Sequence, residues 1–192
     1  MHASRNAETE IALIERAQKG DREAYGDLVR IYYTDVVHIV YHMCGDNVLA
    51  EDAAQEAFIR AWIKLPSFHL DSSLRNWLCR IALNAALDVL RRKTEGTSAE
   101  REMQHLPDQT PGPEAALIEK EQAAFLQQAM KSLPEASRSV LVLREYSDLS
   151  YEEIATVLEI PIGTVMSRLN YARNRLKSLL AEQLVQQEHE YA

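Results

Sequence analysis

Several residue types and patterns are scarce in this 192-residue sequence, and each scarcity excludes a class of protein. The chain has two cysteines, Cys44 and Cys79, which are too few for a disulfide framework and predict a reducing, cytoplasmic setting. Six glycines and six prolines exclude collagen-like and low-complexity chains. No apolar run approaches the roughly 20 residues that span a bilayer, and the polar N-terminus has no signal-peptide core. We therefore expect a cytoplasmic protein without membrane insertion.

Acidic residues outnumber basic ones, and the net charge of −8 by itself argues against binding to nucleic acid. The distribution of charge reverses this interpretation. Residues 74–93 carry +4, and residues 160–181 carry +4 with no acidic residue, which leaves the other 150 residues at −16. Two basic islands in an acidic chain indicate contact with nucleic acid in two places and with a protein elsewhere. The alternative is an ordinary fluctuation of charge along a helical protein.

Helical periodicity runs through nearly every ordered stretch, and no alternating run bounded by turns suggests a sheet. Residues 94–113 differ, because apolar residues become rare there while prolines and acids accumulate. The sequence therefore predicts an all-α fold of two small helical domains, residues 1–93 and 114–192, joined by a flexible acidic linker over residues 94–113. The expected helices cover residues 9–20, 22–45, 47–64, 74–93 and 114–131, followed by helices after Ser132, over 151–158 and from 162.

Capping residues mark most of the predicted helix starts. Short polar side chains accept hydrogen bonds from the free N–H groups of a first helical turn. In a capping box the bond is reciprocated by a glutamate three residues later. The predicted caps are Asp21, Asp46 or Asn47, Ser72 with Ser73, and the boxes Ser132-Leu-Pro-Glu135 and Ser150-Tyr-Glu-Glu153.

The sharpest functional pattern lies between residues 149 and 180. A capped helix over 151–158, a break at Glu159-Ile160-Pro161 and a longer helix from Ile162 predict a helix-turn-helix, whose second helix can enter a DNA major groove. On a helical wheel, one face of this second helix is apolar and predicts contact with the core: Val165, Leu169, Ala172, Leu176, Leu179 and Leu180.

The opposite face of that helix combines uncharged, hydrogen-bonding residues with flanking cations. Base edges are read by hydrogen-bonding groups, while phosphates on the groove walls attract cations. An ordinary surface helix is the alternative, but the absence of acids favours DNA reading. Met166 fits either an apolar contact to a thymine methyl or the core. The candidate duplex-reading residues are Thr164, Met166, Ser167, Arg168, Asn170, Tyr171, Arg173, Asn174 and Arg175.

The helix over 74–93 has a narrow polar stripe on an otherwise apolar surface. An aromatic ring that stacks on an unpaired base contributes roughly 1–3 kcal/mol, and arginines bind the backbone. Burying Arg80 or Asn84 without partners would be costly, whereas Trp77 can equally be a core residue at the edge of the stripe. The preceding loop can form a pocket for a displaced base. The candidates are Phe68, His69, Asp71 and Ser72 in the loop, and Trp77, Arg80, Asn84 and Arg91 in the stripe.

The helix over 47–64 has one alanine-rich apolar face and a second, mixed face directly opposite. Two isoleucines beside carboxylates on a face that should be solvated indicate a helix–helix contact with a partner protein. A crowded surface is the alternative. The candidate partner-binding residues are Asp52, Gln55, Glu56, Ile59 and Ile63.

A metal site is a hypothesis from another functional class. His38 and His42 lie four residues apart on a helix with Cys44 two further on, a geometry that can hold a metal. No further strong ligand or general-base glutamate accompanies them, and their neighbours resemble a core. No glycine-rich phosphate loop or nucleophile triad is visible either. We therefore expect no metal, no cofactor and no enzymatic activity.

Three motifs in this order resemble those of the extracytoplasmic-function (ECF) subfamily of bacterial sigma factors, over nearly the whole chain. Residues 50–62 (Ala-Glu-Asp-Ala-Ala-Gln-Glu-Ala-Phe-Ile-Arg-Ala-Trp) are similar to that family's core-polymerase-binding helix. Residues 76–84 (Asn-Trp-Leu-Cys-Arg-Ile-Ala-Leu-Asn) are similar to its minus-ten reading and strand-opening helix. Residues 149–155 with 162–168 are similar to its minus-thirty-five helix-turn-helix.

The resemblance implies a sigma factor that binds core RNA polymerase, recognises minus-ten and minus-thirty-five promoter elements, and is controlled by a separate anti-sigma factor. It implies that Asp52, Gln55, Glu56 and Ile59 contact the large catalytic subunit of the polymerase. It also implies that Arg80 and Asn84, with the loop, capture a flipped non-template base. His69-Leu70 stands where members often carry Arg-Gly, and Met166 where many carry Arg. A stand-alone helix-turn-helix regulator that binds duplex DNA through residues 149–181 alone is the alternative.

Overall fold

The structure is a computed structural model that describes the backbone of residues 2–96 and 114–190 and the side chains of residues 9–94 and 123–183. Most of the predicted linker lies outside these residues. Within them, every regular element is helical, which confirms the predicted all-α fold of two helical domains. The elements are α1 (His2–Gln18), α2 (Arg22–Cys44), α3 (Asn47–Lys64), a short 3₁₀ turn (Leu65–Ser67), α4 (Leu74–Gly96), α5 (Glu114–Lys131), α6 (Glu135–Glu145), α7 (Tyr151–Leu158) and α8 (Ile162–Glu190).

Four of the predicted helix caps are present. Oδ1 of Asp21 accepts from the N–H groups of residues 23 and 24 at 3.0 and 3.1 Å, which lowers the pKa of Asp21. Asp46 caps α3 in the same way, through the N–H groups of residues 48 and 49. Ser73 Oγ accepts from the Asn76 N–H at the start of α4. At α7, Ser150 and Glu153 form the reciprocal box.

The predicted box at Ser132 is wrong. Helix α6 begins at Glu135, after Pro134, with no side-chain cap. The hydroxyl of Ser132 instead donates to the carbonyl of Ala129 at 2.7 Å, so the last turn of α5 takes the group that would have capped α6. Two helix bounds also differ from those expected, because α1 starts at His2 and α4 continues to Gly96.

In the N-terminal domain, α2, α3 and α4 pack against one another. The alanines of α3 are buried, and their small side chains allow the neighbouring helices to approach closely; they are Ala50, Ala53, Ala54, Ala57 and Ala61. The amide of Gln18 donates to the carbonyls of Leu65 and Phe68 at 3.1 and 2.8 Å. These bonds attach the segment after α3 to α1 and so set the position of the loop that precedes α4.

In the C-terminal domain, α7 and α8 form the predicted helix-turn-helix, and α6 packs against both. Val165, Leu169 and Ala172 bring α8 onto a core with Val140, Leu143 and Ile154. The turn between α7 and α8 contains Glu159 in the left-handed region, with φ +53°. A non-glycine residue there carries a conformational cost, which the surrounding packing must offset.

The two domains lie against each other, with α2 packed on α5 and α6, and α4 packed on α7. The ring of His42 stacks on that of Tyr146, with centroids 3.5 Å apart and planes 19° apart. Gly45, at φ +62°, ends α2 beside Lys131, where an added Cβ would collide with the lysine side chain. Among the described residues, no helix is both long and apolar enough to cross a membrane.

Candidate nucleic-acid and protein interfaces

Helix α8 presents the predicted polar strip to solvent. Met166 is 53% exposed and Tyr171 48%, while Val165 and Leu169 beneath them are buried. Thr164 and Arg168 are half-buried at the edges of the strip. The other predicted duplex-reading residues are exposed: Ser167, Asn170, Arg173, Asn174 and Arg175. The helix face that is uncharged along its centre and cationic at its sides is therefore exposed, and it can enter a DNA major groove.

One cation of this strip has a protein partner. Nη2 of Arg173 lies 2.6 Å from Oε1 of Glu145 on α6, and this hydrogen bond raises the pKa of Arg173. Within the part of the chain that the structure describes, Arg168 and Arg175 have no acidic partner within 4.0 Å. Arg168 and Arg175 thus remain available to phosphates, whereas Arg173 also holds α8 on α6.

The C-terminal part of the apolar face of α8 is only partly covered, so the wheel prediction holds in part at Leu176, which packs against the core, and is wrong at Leu180. Leu176 and Leu179 are half-buried, and Leu180 is 40% exposed. Leu176 and Leu180 instead line an open cleft of about 610 Å³ between α5, α6 and α8. The other apolar walls of the cleft include Leu126, Met130, Leu141 and Tyr146.

The polar stripe of α4 is exposed at three of its four predicted positions. Arg80, Asn84 and Arg91 are accessible along one side of the helix. Arg91 lies 3.6 Å from Asp88, and Nη2 of Arg80 lies 2.7 Å from Oε1 of Glu159 in the other domain. Trp77 is half-buried and packs against the core, as its alternative interpretation predicted.

The loop before α4 is divided between surface and core. His69, Asp71 and Ser72 are exposed. Phe68 is only 7% exposed, and its ring packs 5.1 Å from that of Trp77. A base cannot stack on Phe68 in this arrangement, because the ring is an internal side chain that supports Trp77. The loop therefore offers polar groups to a ligand, with the aromatic pair beneath them.

The mixed face of α3 is exposed as predicted. Ile59 is 56% exposed and Ile63 69%, and Asp52 and Gln55 are accessible beside them. Glu56 is half-buried, because its carboxylate accepts from Arg60 Nε at 2.7 Å. The same arginine binds Asp88 of α4 at 2.6 Å, so Arg60 joins the two helices, and both partners raise its pKa.

The sequence pattern missed two exposed apolar residues of α2, and one of them, Tyr33, extends this surface through its contact with α3. Ile31 and Tyr33 are each 55% exposed, and the ring of Tyr33 is parallel to that of Phe58 on α3 at 6.2 Å. The neighbouring residues of α2 are mostly apolar, so its sequence does not distinguish these two exposed positions from buried ones. Their exposure depends on which side α3 covers, which no local signal in α2 indicates.

The residues of the metal hypothesis have other roles in the fold. His42 Nδ1 lies 3.1 Å from Gln127 Nε2 across the domain boundary, and burial lowers the pKa of His42 to about 4. Burial also raises the pKa of the Cys44 thiol to about 11, which disfavours the thiolate form that binds metals. Among the described residues, no group of three or more His, Cys, Asp or Glu side chains is placed to hold a metal ion.

The comparisons with known proteins identify the family of the chain. The model of Sigma-70 region 2 matches residues 28–95, and that of Sigma-70, region 4 matches residues 126–176. The chain is 35% identical to the ECF RNA polymerase sigma factor SigW of Bacillus subtilis, over 88% of this chain and 95% of that protein. It is 38% identical to the RNA polymerase sigma-H factor of Pseudomonas aeruginosa, over 88% and 92%.

Two solved structures share the fold. CnrH in complex with the cytosolic domain of CnrY has a TM-score of 0.69 and 26% identity, covering 91% of this chain and 98% of that one. The sigma factor RpoE in complex with the anti-sigma factor NepR from Bartonella quintana has a TM-score of 0.65 and 25% identity, covering 82% and 96%. Two family models and near full-length relatives thus confirm the resemblance seen in the motifs: the chain belongs to the ECF family of RNA polymerase sigma factors.

Proposed function

We propose that this chain is a dissociable promoter-specificity subunit that binds core RNA polymerase and directs it to promoters with defined minus-ten and minus-thirty-five elements. The observation that carries the proposal is the surface of α8, a helix of a helix-turn-helix that has no acidic residue over 162–181 and that presents hydrogen-bonding groups between flanking cations. Such a face suits base edges at its centre and phosphates at its sides. In this proposal α8 reads the minus-thirty-five element as duplex.

The second DNA contact in the proposal is the exposed side of α4 with the preceding loop. Arg80 and Asn84 offer a cation and an amide that can bind the backbone and the hydrogen-bonding edge of an unpaired base. His69, Asp71 and Ser72 surround the same site from the loop. Because Phe68 and most of Trp77 are internal, polar contacts rather than stacking on Phe68 carry recognition of the non-template strand.

The core polymerase binds, in this proposal, to the mixed face of α3 and the adjoining side of α2. Ile59, Ile63 and Tyr33 supply exposed apolar area, and Asp52 and Gln55 supply polar contacts at its edge. Apolar centres with polar margins are typical of interfaces that form and dissociate. The chain acts in the cytoplasm as a binding subunit, and we assign it neither an enzymatic activity nor a cofactor.

An anti-sigma factor is the other partner that we propose. The solved structure of RpoE contains the anti-sigma factor NepR, and that of CnrH contains the cytosolic domain of CnrY. The open apolar cleft between α5, α6 and α8 is a surface on which a partner helix can pack.

Transcription from genomic promoter fragments by core polymerase, with and without the purified chain, tests this function. We expect defined transcripts only when the chain is present. Asn84→Ala should reduce promoter opening about tenfold and leave core binding unchanged, because the amide contacts only DNA. Ile59→Glu should instead abolish core binding, because it places a charge in the apolar centre of the proposed polymerase interface. Tight binding of the free chain to duplex operators, with no stimulation of core polymerase, would instead establish the stand-alone regulator.

A further inference from the structure

An apolar pair is exposed at the start of helix α8. Ile162, the first residue of this helix, is 42% exposed, and Met166, one turn later, is 53% exposed. Residues four positions apart on a helix are neighbours on its surface, so the two side chains lie on the same side. A single exposed apolar side chain is common, but adjacent ones indicate contact with a ligand or a partner.

Neither member of the pair is needed for the packing of its own domain. The core position of this turn is Val165, which is fully buried, and the next core position is Leu169, which is 2% exposed. Ile162 and Met166 belong neither to the core nor to the partly buried side chains that pack against it. Of the two interpretations that the sequence allows for Met166, the core is therefore excluded and an outward contact remains.

The charges along α8 indicate which part of DNA this contact reaches. The nearest cation on the same edge of the helix, two turns beyond Met166, is Arg173, which is bound at 2.6 Å to a glutamate of α6. On the opposite edge, Arg168 and Arg175 have no acidic partner within 4.0 Å among the described residues. The edge with the apolar pair is therefore poorly suited to phosphates, and a contact with bases fits it better.

The position of the pair on the helix also favours a contact with bases. In a helix-turn-helix, the N-terminal residues of the second helix contact base edges in the major groove. Gly163, between the two apolar residues, is exposed, and an added Cβ there would have nothing within 4 Å, so the surface at this end of the helix is open. The apolar group that base pairs present in the major groove is the C5-methyl group of thymine.

We propose that Met166, with Ile162 beside it, makes this chain select thymine at one position of the minus-thirty-five element, through an apolar contact with the C5-methyl group. This inference rests on the proposed function of α8 and adds to it the base that this end of the helix prefers. The methionine side chain is unbranched, flexible and polarisable, so it can pack around a methyl group without a hydrogen-bonding partner.

Removal of that single methyl group tests the proposal on the holoenzyme. The probes are duplexes of a promoter that the holoenzyme transcribes, in which deoxyuridine replaces each thymine of the minus-thirty-five region in turn. Deoxyuridine keeps every hydrogen-bonding group of the base pair and lacks only the methyl group. At one position, this change should weaken binding about fourfold, the loss expected for one buried group of this size. 5-Bromodeoxyuridine at that position, with a bromine about as large as a methyl group, should restore binding.

Variants of Met166 connect this preference to one side chain. Met166→Ala should bind the thymine and deoxyuridine duplexes equally, because alanine is too short to reach the methyl group, whereas Met166→Leu should keep the preference. Since Met166 is outside the core, both variants should fold normally. Leu180→Ala is the matched control, because it removes another exposed apolar side chain of α8, at the cleft, and should leave the fourfold ratio unchanged.

A selection from duplexes randomised at the identified base pair provides an independent measurement. The wild-type holoenzyme should enrich thymine. Met166→Arg should enrich guanine instead, because an arginine binds O6 and N7 of that base with two hydrogen bonds. The same enrichment for both proteins would contradict the assignment of this base pair to position 166.

Two results of the binding experiment would overturn the proposal. One is equal binding of the wild-type holoenzyme to all the thymine and deoxyuridine duplexes. The other is a thymine preference that Met166→Ala leaves intact, since another group would then read the methyl. In both cases the holoenzyme still binds its promoter, so the sigma-factor function stands. A wild-type holoenzyme that binds and transcribes no promoter would contradict that function, and this inference with it.

Discussion

The two basic islands have the same net charge but different environments. In α4, Arg75, Arg80, Arg91 and Lys93 each have an acidic partner: Asp35, Glu159, Asp88 and Asp46, respectively. In α8, Arg173 alone of the described cations has one. Equal charge in the sequence therefore gives unequal availability in the fold. The cations of α4, which we propose to bind single-stranded DNA, are therefore largely paired within the protein, whereas most of those of α8, which we propose to read duplex DNA, are open.

The largest effect is expected in the basic island of α8, residues 160–181. Asn170→Ala removes a side chain from the centre of the α8 strip and should weaken holoenzyme binding to its promoter by about 1–3 kcal/mol, with relaxed preference at one upstream base pair. Arg175→Ala removes a cation from the edge and should weaken binding to all sequences alike, with a salt slope reduced by about one. Binding isotherms on the promoter and its single-base variants, at several salt concentrations, distinguish the two effects.

An equal loss on every sequence for both variants would contradict the division of α8 into a reading centre and phosphate-binding edges. Lys19→Ala is a suitable control, because Lys19 lies after α1, outside all of the proposed surfaces.

A smaller effect is expected for Arg75, a cation of the basic island in α4 that joins α4 to α2. Arg75 binds Asp35 of α2 at 2.7 Å, and both side chains are only about one-third exposed, at 34% and 29%. Arg75→Ala should lower the free energy of unfolding by about 1 kcal/mol, since it removes one member of a partly buried pair. Urea unfolding measures this change, with the exposed Arg92→Ala as the control. Unchanged stability together with lost DNA binding would place Arg75 on the DNA surface instead.

The contact between the two domains should also depend on pH. His42 is stacked on Tyr146, beside Tyr41, His38 and Gln127, and burial followed by the charge of His38 lowers its pKa to about 4. Separation of the domains restores a value near 6.5, so the separated state binds the extra proton between these values. Contact between the domains should therefore be fully favoured above about pH 6.5 and weaken as the pH falls toward 4.

Fluorescence energy transfer between dyes on the two domains measures this contact. His42→Phe keeps an aromatic ring and cannot titrate, so its transfer efficiency should change less over the same pH range. An identical profile for wild type and variant would show that His42 does not contribute to the pH dependence.

The sequence predicted features that depend on local spacing. The caps at Asp21, Asp46 and Ser150, and the buried and exposed faces of α8 through Ala172, follow from hydrogen bonding and helical periodicity within a few residues. The exposed isoleucines of α3 were predicted for the same reason.

Features that depend on the arrangement of distant segments were not predictable. Asn76 donates a hydrogen bond to Glu153, which is 77 positions away, and no local pattern pairs them. Leu180 is a core residue on the helical wheel, but in the fold it is 40% exposed and lines the open cleft. The box at Ser132 failed because the preceding helix offered the hydroxyl a nearer acceptor. Each outcome depends on the contacts that other segments offer, and the pattern of a single helix does not contain that information.

Site-specific photo-crosslinking in the promoter complex tests most directly whether α4 and α8 occupy separate promoter elements. Photoreactive residues replace Ser72, in the loop before α4, and separately Asn174, on α8, both exposed. With core polymerase present, position 72 should crosslink to the non-template strand near minus ten, and position 174 to duplex DNA about 25 base pairs upstream. Without core polymerase, position 72 should give no crosslink. Crosslinks of both positions to one short segment, or a polymerase-independent crosslink at position 72, would contradict the account.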